Sequence, residues 1–465
     1  MLNWKRFHFI GIGGIGMSGL ARLLLKMGYE VSGSDLKASE TTRALAREGA
    51  RIFYGHHPRQ VHGAEVVVYS SAIKPENPEL VEARRLGLEV MPRAEMLVEI
   101  MKLHRQNIVV AGAHGKTTTS SMLGAVLSTA GLSPTVAVGG KVNGFEGNAW
   151  LGCRDYLVAE ADESDGSFLR MAPDLAVITN IDAEHLDYYA SYKEIEEAFL
   201  AFANRVRPGG ALVVCADDQG VQRLLQRLDE GPAVITYGVE AEADFTAKVQ
   251  ETGRFSLFTV YEKGRLLGEV FLRLPGLHNV QNALATIAVA RRLRLPFEKI
   301  RQGLSSFKGV RRRFELKGEA GGIAVFDDYA HHPTEIKVTI SAFKKAYPER
   351  RLVVVFQPHR YTRTKALFGD FSKVFDQVDV LLVTEIYPAA ETPLPGVSGE
   401  ALYQALKTRR KRLPTYYAPE RALVLARLLE ITRPGDLVVT MGAGDIYRLG
   451  EEFLKELGLV REEVA

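Results

Sequence analysis

Cysteine is scarce in this sequence, with Cys153 and Cys215 the only two thiols among 465 residues. So few cysteines exclude a disulfide-stapled scaffold and a four-cysteine zinc site. Cys215 ends the apolar run 212–214, and we therefore expect it to be a buried core residue rather than a reactive thiol.

An excess of charge and long apolar runs are also missing. The 59 Lys and Arg residues against 56 Asp and Glu give a net charge of +3, which is too small to indicate a general nucleic-acid or membrane surface. No apolar run approaches the roughly 18 residues that would span a bilayer. The apolar stretch after Lys5 and Arg6 is interrupted by His8 and Gly11, and no cleavage site follows it, so a signal peptide is not indicated. We expect a cytoplasmic protein with neither nucleic acid nor membrane as a partner.

Short apolar runs alternate with helical patterns along the chain, which predicts an α/β fold with parallel sheets. At about 150 residues per domain, the length predicts roughly three domains. We place them at residues 1–95, 96–311 and 312–465, each opening with a strand, a polar loop and a helix. Residues 244–274 instead alternate around Gly253, Gly264 and Gly268, which predicts a small antiparallel insertion in the central sheet.

The first loop has a Gly-x-Gly-x-x-Gly pattern at Gly11, Gly13 and Gly16, between a strand and a helix. Glycines allow the backbone to approach a diphosphate, and the helix N-terminus favours anionic oxygens. Asp35 follows about 20 residues later, where such folds place an acid that contacts the nucleotide. The pattern does not distinguish a dinucleotide from another nucleotide diphosphate. Residues 70–73 follow the strand at 66–69 and could be a plain turn or part of the same ligand edge.

The second loop ends in Gly115-Lys116-Thr117 after the buried strand 108–111, which matches the end of a P-loop. Its backbone N–H groups would cradle phosphates, its lysine would reach the β- and γ-oxygens, and its hydroxyl would bind Mg²⁺. The first glycine is Gly112, so the loop is shorter than in most P-loop ATPases. One chain thus carries two predicted phosphate loops, whereas a simple dehydrogenase or kinase needs one.

Acidic residues follow the next two predicted strands of the central domain. Glu160 ends the strand 156–159, and His185 lies among acids after the strand 175–178. Mg²⁺ prefers hard oxygen ligands and bridges nucleotide phosphates. Glu160 is therefore the expected partner of Thr117, and His185 a second metal or phosphate ligand.

These segments together resemble the ATP-dependent amide ligases that build the peptide of bacterial peptidoglycan. The resemblance covers essentially the whole chain and includes residues 274–283, 309–314, 327–334, 357–364 and 441–445. It implies a Rossmann-like first domain for a UDP-sugar, a P-loop ATPase-like central domain for ATP, and a Rossmann-like third domain for an amino acid. The implied reaction joins L-alanine to the carboxylate of UDP-N-acetylmuramate through an acyl phosphate, with ATP as co-substrate and one or two Mg²⁺.

The resemblance also implies a role for each matching residue. Catalytic roles fall to Lys116, His185, Arg313, Asp328 and His331, and metal ligation to Thr117, Glu160 and His185. ATP contacts fall to Gly112, Ala113, His114, Gly115, Lys116, Thr117, Thr118, His278, Asn279, Asn282 and Arg313. UDP-sugar contacts fall to Gly11, Gly13, Gly14, Gly16, Met17, Ser18, Asp35, Ser70, Ser71 and Ala72. Amino-acid contacts fall to Tyr329, His359, Arg360 and Arg363, because arginines can clamp a carboxylate bidentately.

The sequence departs from the family pattern at two positions, and one pair of histidines permits a different kind of site. Ala113 replaces the family's usual threonine, a minor change because the backbone binds the phosphates. Leu200 occupies the position of the carbamylated lysine found in sister ligases, so we expect no such lysine here. The adjacent histidines His331 and His332 would also suit a separate zinc site, which we regard as the weaker interpretation.

The nearest alternative is the related ligase that attaches a whole tripeptide to UDP-N-acetylmuramate. Ser164, Tyr329 and the segment 357–363 favour the alanine-adding branch. A nicotinamide-dependent dehydrogenase with an accessory ATPase domain would explain the first loop but leaves the third domain without a role. A non-catalytic nucleotide-binding regulator is disfavoured by the complete set of Lys116, Thr117, Glu160 and His185.

Overall fold

A computed structural model gives the fold, and it describes residues 1–145, 147–164, 166–184, 188–228, 231–389, 391–410 and 412–462. Its strands form three separate sheets, one in each predicted domain. The predicted fold class, three α/β domains dominated by parallel strands, is confirmed. Within the described residues, no helix is both long and apolar enough to cross a membrane.

The first sheet has five parallel strands in the order β3-β2-β1-β4-β5, which is a doubly wound arrangement. Its strands are β1 (Arg6–Ile10), β2 (Glu30–Asp35), β3 (Arg51–Tyr54), β4 (Val66–Tyr69) and β5 (Glu89–Pro92), and its helices are α1 (Ile15–Lys26), α2 (Glu40–Arg47), α3 (Pro78–Arg85) and α4 (Arg93–Met101). The side chains of Ser39 and Asn77 accept hydrogen bonds from backbone N–H groups and cap α2 and α3. The predicted boundary at residue 95 falls within α4.

The central sheet has ten strands in the order β15-β14-β13-β12-β11-β10-β6-β9-β7-β8. Its strands are β6 (Gln106–Ala111), β7 (Thr135–Ala137), β8 (Ala149–Trp150), β9 (Tyr156–Glu160), β10 (Leu175–Ile178), β11 (Ala211–Cys215), β12 (Ala233–Gly238), β13 (Phe245–Glu251), β14 (Ser256–Glu262) and β15 (Arg265–Leu272). Its helices are α5 (Lys116–Thr129), α6 (Tyr192–Ala203), α7 (Gln219–Arg227), α8 (Leu277–Arg292) and α9 (Phe297–Ser306). Strands β13, β14 and β15 pair antiparallel, so the predicted antiparallel insertion is confirmed. Cys215 is buried, as expected.

The third sheet has six strands in the order β16-β17-β21-β18-β19-β20, with only β16 antiparallel to its neighbour. Its strands are β16 (Glu315–Ala320), β17 (Ile323–Asp328), β18 (Leu352–Phe356), β19 (Val380–Val383), β20 (Thr415–Tyr417) and β21 (Leu437–Met441). Its helices are α10 (Pro333–Ala346), α11 (Tyr361–Ala366), α12 (Phe368–Phe371), α13 (Gly399–Arg409), α14 (Arg421–Ile431) and α15 (Tyr447–Glu462).

The hydrophobic cores show how the domains are joined. Residues of the first sheet, such as Phe9, share one buried cluster with residues of the central domain, such as Val109 and Phe199. The third domain has its own clusters on the two faces of its sheet. The first two domains are therefore packed as one unit, while the third meets them through a polar junction.

Candidate active site

One large cleft lies between the three domains, with a volume of about 1700 Å³. Both glycine loops, the ends of β9 and β10, the start of α8 and the junction 310–315 line it. The carboxyl ends of parallel strands meet at one edge of a sheet, so the motifs at several strand tips converge here. The volume of the cleft exceeds the roughly 300–1,000 Å³ of a typical small-molecule pocket.

The first glycine loop is braced by its own acid. Asp35 Oδ2 accepts a hydrogen bond from Gly13 N at 2.8 Å, and a Cβ at Gly13 would lie 2.7 Å from that oxygen. Gly11 has a φ of +81°, a conformation that favours glycine. The structure thus uses Asp35 to hold the loop, in addition to any ligand contact.

Not all residues predicted to contact the UDP-sugar face the cleft. Those that line it are Gly14, Gly16, Met17, Ser70 and Ser71. Gly13 and Ser18 line a smaller adjoining cavity. Gly11, Asp35 and Ala72 line neither cavity, although Gly11 lies against Ser70 and Asp35 against Gly13.

The P-loop lysine is held by protein groups. Lys116 Nζ donates to Glu163 Oε1 at 2.7 Å and to the carbonyls of Gly112 and Ala113 at 2.5 and 3.2 Å. Burial alone would lower the pKa of Lys116, but the carboxylates of Glu163, Glu160 and Glu184 raise it above its ordinary value. The ammonium therefore carries its charge at the bottom of the cleft, where phosphate oxygens could replace the carbonyls.

Thr117 and Glu160 form the predicted oxygen pair. Thr117 Oγ1 donates to Glu160 Oε2 at 2.9 Å, and Gly139 N donates to the same oxygen at 2.7 Å. Burial raises the pKa of Glu160, which Lys116 partly opposes. A hydroxyl beside a desolvated carboxylate is a donor set that fits Mg²⁺. His185, the third predicted ligand, lies outside the described residues.

The start of α8 lies directly over the P-loop. Thr119 Oγ1 donates to Asn282 Oδ1 at 3.2 Å, and a Cβ at Gly115 would lie 2.6 Å from that oxygen. Asn282 in turn donates to Asn279 at 3.3 Å. Burial, with Arg313 nearby, lowers the pKa of His278 to about 4, so this imidazole is neutral. The cleft residues predicted to contact ATP are thus brought together by tertiary packing.

The third domain contributes Arg313, Asp328, Tyr329 and His331 to the cleft. Arg313 Nη1 donates to Glu335 Oε1 at 3.1 Å and lies over the Tyr329 ring. Asp328 accepts from Phe314 N at 2.8 Å and Ala330 N at 2.9 Å, so it shapes the loop around the cleft. Burial raises the pKa of Asp328 to about 6, against the opposing effect of Arg313.

The segment predicted to bind the amino acid, residues 359–363, lies behind this edge of the cleft and does not line it. Arg360 Nε donates to Glu391 Oε1 at 2.6 Å, and Arg363 Nη1 lies 3.1 Å from His359 Nδ1. His359 stacks on Tyr387, and its ring centroid is 5.8 Å from that of His331. Burial, together with the nearby His331 and Arg363, lowers the pKa of His359 to about 3. Tyr329 and His331 therefore link this segment to the cleft.

Several polar residues at the site were not singled out from the sequence. Glu163 contacts Lys116, and Glu335 contacts both Arg313 and His331. Arg312 donates to Asp327 at 2.9 Å and to the Gly442 carbonyl at 2.6 Å, with its guanidinium between the rings of Tyr329 and Tyr447. The sequence shows four carboxylates between residues 160 and 165, but which of them faces Lys116 depends on how the loop after β9 folds.

Models of three domain families match successive parts of the chain. They are the Mur ligase family catalytic domain over residues 6–105, the Mur ligase middle domain over 110–290, and the Mur ligase glutamate ligase domain over 312–444. Together they cover most of the chain.

Curated proteins and solved structures agree with these matches. The chain is 51% identical to UDP-N-acetylmuramate–L-alanine ligases of Desulfatibacillum aliphaticivorans and Desulfotalea psychrophila, over 96–97% of this chain and 97–98% of theirs. The crystal structure of UDP-N-acetylmuramate-alanine ligase from Thermotoga maritima has a TM-score of 0.82 at 30% identity, covering 97% of this chain and 98% of that one. A murein peptide ligase from Psychrobacter arcticus has a TM-score of 0.74 at 26% identity, covering 98% and 99%.

Proposed function

The chain belongs to the Mur ligase family, and on that premise we propose that it joins L-alanine to the lactyl carboxylate of UDP-N-acetylmuramate at the expense of ATP. The observation that carries the proposal is the identity of about 50% over nearly the whole chain to ligases of that name. The peptide-attaching ligases of known structure, at 26% and 32% identity, are less similar to this chain than those relatives and offer less support for the tripeptide-attaching alternative. The dehydrogenase and regulator alternatives find no support among these relatives.

The proposed reaction must first activate the lactyl carboxylate, because its oxygen is a poor leaving group. The lactyl carboxylate attacks the γ-phosphorus of ATP, the bond to the β-phosphate oxygen breaks, and an acyl phosphate and ADP form. The amine of L-alanine then attacks the acyl carbon and loses a proton, and inorganic phosphate leaves with the former carboxylate oxygen. Both steps take place in a cleft from which water must be excluded, because an acyl phosphate hydrolyses readily.

Charge neutralisation is the main task of the central domain. Lys116 would exchange its contacts with the loop carbonyls for the β- and γ-oxygens of ATP. Thr117 and Glu160 would hold one Mg²⁺, and His185 would hold a second. Bound Mg²⁺ supplies positive charge that reduces the repulsion between the lactyl carboxylate and the phosphates of ATP. Asn282 and His278, above the P-loop, are placed to contact the rest of the nucleotide.

The outer domains would bind the two molecules to be joined. We propose that residues 1–95 hold the UDP-sugar, 96–311 hold ATP and 312–465 receive the amino acid. Arg313 and His331, which reach the cleft, would contact the phosphoryl group and the incoming amine, while Arg363 would meet the alanine carboxylate. Because its substrates are nucleotides of the cell interior, we propose that the protein acts in the cytoplasm.

A phosphate-release assay with UDP-N-acetylmuramate, ATP and a panel of acceptors tests the proposal. We expect turnover with L-alanine, less with glycine and L-serine, and none with the tripeptide. Phosphate release with the tripeptide but not with L-alanine would assign the chain to the peptide-attaching branch instead. Release that does not depend on UDP-N-acetylmuramate would show that the sugar substrate is wrong.

The Mg²⁺ assignment has its own test in Glu160→Gln. Removing the negative charge next to Thr117 should raise the Mg²⁺ concentration for half-maximal rate by about tenfold or more. Glu197→Gln, at an exposed position of α6 paired with Arg227, is the control and should leave the Mg²⁺ titration unchanged. An identical titration for Glu160→Gln would remove this residue from the metal site.

A further inference from the structure

Two histidines and a glutamate lie together where the central and third domains meet. His114 comes from the P-loop, Glu184 follows β10, and His332 caps the N-terminus of α10. One ligand atom from each lies within 4.8 Å of the other two. His114 Nδ1 is 3.8 Å and His332 Nδ1 is 3.9 Å from Glu184 Oε1. The cluster is distinct from the Thr117 and Glu160 pair, and it includes a residue from each side of the domain junction.

The imidazoles of this cluster are poorly satisfied by the protein. His332 is 4% exposed, yet its Nδ1 receives only a long contact of 3.4 Å from Thr334 N. Among the described residues, His332 Nε2 and His114 Nδ1 have no hydrogen-bond partner. Buried polar atoms are nearly always hydrogen-bonded or bound to an ion. The unpartnered Nδ1 of His114 and the weakly bonded Nδ1 of His332, each within 4 Å of Glu184 Oε1, therefore point to a ligand between them.

Asp182 provides the outer support that metal sites usually have. Its Oδ2 lies 3.0 Å from His114 Nε2 and accepts a hydrogen bond from Thr334 Oγ1 at 2.9 Å. Histidine ligands commonly donate their second N–H to a carboxylate, which fixes the ring and leaves the other nitrogen for the metal. With Asp182 on Nε2, the lone pair of His114 is at Nδ1, the nitrogen nearer Glu184.

The local charge also favours a cation. Asp182, Glu184 and Glu335 gather around the two histidines, with Arg313 paired to Glu335 and Lys116 near Glu184. A cation bound between these groups would reduce the mutual repulsion of the three carboxylates.

We infer that His114, Glu184 and His332 bind one divalent transition-metal ion, with Zn²⁺ the best match, and that this ion holds the third domain against the central domain. Two imidazoles and a carboxylate suit Zn²⁺, whereas Mg²⁺ prefers oxygen ligands alone. Tetrahedral ligands at about 2.0 Å from Zn²⁺ are about 3.3 Å apart, so the two histidine–glutamate pairs need to approach by roughly half an ångström and the two histidines by up to about 1.5 Å. An ion joining both domains would slow the opening that releases product, so Zn²⁺ should act as an inhibitor.

Cobalt(II) is the probe for the test, because its visible absorption reports coordination number. The full-length protein, without nucleotide and in excess Mg²⁺, should bind one Co²⁺ with the intense bands of a four-coordinate ion, and Zn²⁺ should displace it. His332→Ala and Glu184→Gln should each weaken Co²⁺ binding at least tenfold. The control His62→Ala removes an exposed histidine that pairs with Glu82 and should bind Co²⁺ like the parent.

Two results would contradict the inferred metal site. If the parent and His332→Ala show the same Co²⁺ stoichiometry and spectrum, or if the parent binds none, the site does not exist. Melting curves check that each variant is folded, and His332→Gln replaces His332→Ala if the latter is not. In turnover assays, micromolar Zn²⁺ should inhibit the parent and His62→Ala but lose at least tenfold potency against His332→Ala. The Co²⁺ spectra do not require the proposed reaction, so either conclusion can fail without the other.

Discussion

At the scale of single residues, Lys116 shows how the cleft keeps a buried cation in place. The Lys116 ammonium is bound by Glu163 and by two carbonyls of its own loop. An ion pair of this kind is stable because the carboxylate offsets the desolvation of the ammonium. Binding of ATP must then compete with these contacts, and the phosphates provide a larger negative charge than Glu163 does alone.

Lys116→Met should therefore abolish catalysis without abolishing binding of the sugar substrate. We expect kcat for phosphate release to fall by at least about 100-fold, since a cation aimed at the transferring phosphoryl group is lost. Equilibrium dialysis should show UDP-N-acetylmuramate binding within about twofold of the parent. The control Lys102→Met removes an exposed lysine paired with Glu99 and should retain full activity. Turnover by Lys116→Met near that of the control would contradict the P-loop assignment.

Arg363 tests whether the segment behind the cleft binds the amino acid. Its guanidinium contacts His359 and, within the described residues, forms no ion pair with a carboxylate. Arg363→Ala should raise KM for L-alanine about tenfold or more, because a charge-assisted contact to the substrate carboxylate is lost. KM for ATP should change little. Arg427→Ala, which breaks an exposed pair with Glu430, is the control; an effect on ATP alone would refute the role.

At the scale of elements, the first sheet contains a polar network in its core. Glu79, at the start of α3, is fully buried and contacts His8 Nε2 on β1 at 2.6 Å and His56 Nδ1 at 2.7 Å. Ser32 on β2 contacts the other ring nitrogen of His8 at 2.9 Å. The network joins two strands to a helix below the first glycine loop. Its loss should affect stability rather than catalytic chemistry.

Glu79→Gln should destabilise the protein by about 1–3 kcal/mol, because the buried carboxylate contacts both His8 and His56, and an amide in its place leaves buried polar atoms without suitable partners. Thermal melting followed by circular dichroism measures the change. Glu82→Gln, on the same helix but paired with exposed Arg85 and His62, is the matched control and should melt almost like the parent. Equal melting of the two variants would show that the buried network contributes nothing.

The same network predicts the acid side of the stability curve. Burial raises the pKa of Glu79, but the hydrogen bonds from His8 and His56 outweigh it, and the folded pKa is lowered. A carboxyl with a lowered folded pKa stabilises the protein above its unfolded pKa of about 4.3, and this contribution is lost as the pH falls below that value. The difference in stability between the parent and Glu79→Gln should therefore shrink below about pH 4.

At the scale of the whole molecule, a rigid pair of domains faces a third that is held by polar contacts. Thr334 donates to Asp182 across the junction, and Arg311 N donates to the Lys141 carbonyl at 2.8 Å. Arg312 fastens the junction to the loop after β21 through the Gly442 and Gly444 carbonyls. Polar junctions of this kind permit domain motion, whereas a shared apolar core resists it. We expect substrates to draw the third domain closer.

Three consecutive arginines at 311–313 make the junction itself a probe of closure. Arg311 is exposed, so trypsin should cut here when the cleft is open. ATP analogue and UDP-N-acetylmuramate together should slow cleavage at the junction by about tenfold, because closure buries the segment. Thr334→Val, which lacks the bond to Asp182, should lose part of that protection. Cleavage after Lys263, which is exposed in the turn between β14 and β15, is the internal control. Equal slowing at both sites would indicate general stabilisation instead of closure.

The sequence by itself determined much of this protein. The strands, the three-domain organisation, the antiparallel insertion and both glycine loops follow from local patterns, because apolar periodicity and glycine conformations act over a few residues. Only the tertiary structure decided that Glu163 faces Lys116, that Asp35 braces Gly13, and that Arg360 pairs with Glu391. It also brought His114, Glu184 and His332 together from distant segments. Such pairings depend on how the sheets pack and how three domains meet, and no spacing along the chain encodes a distance between its folded parts.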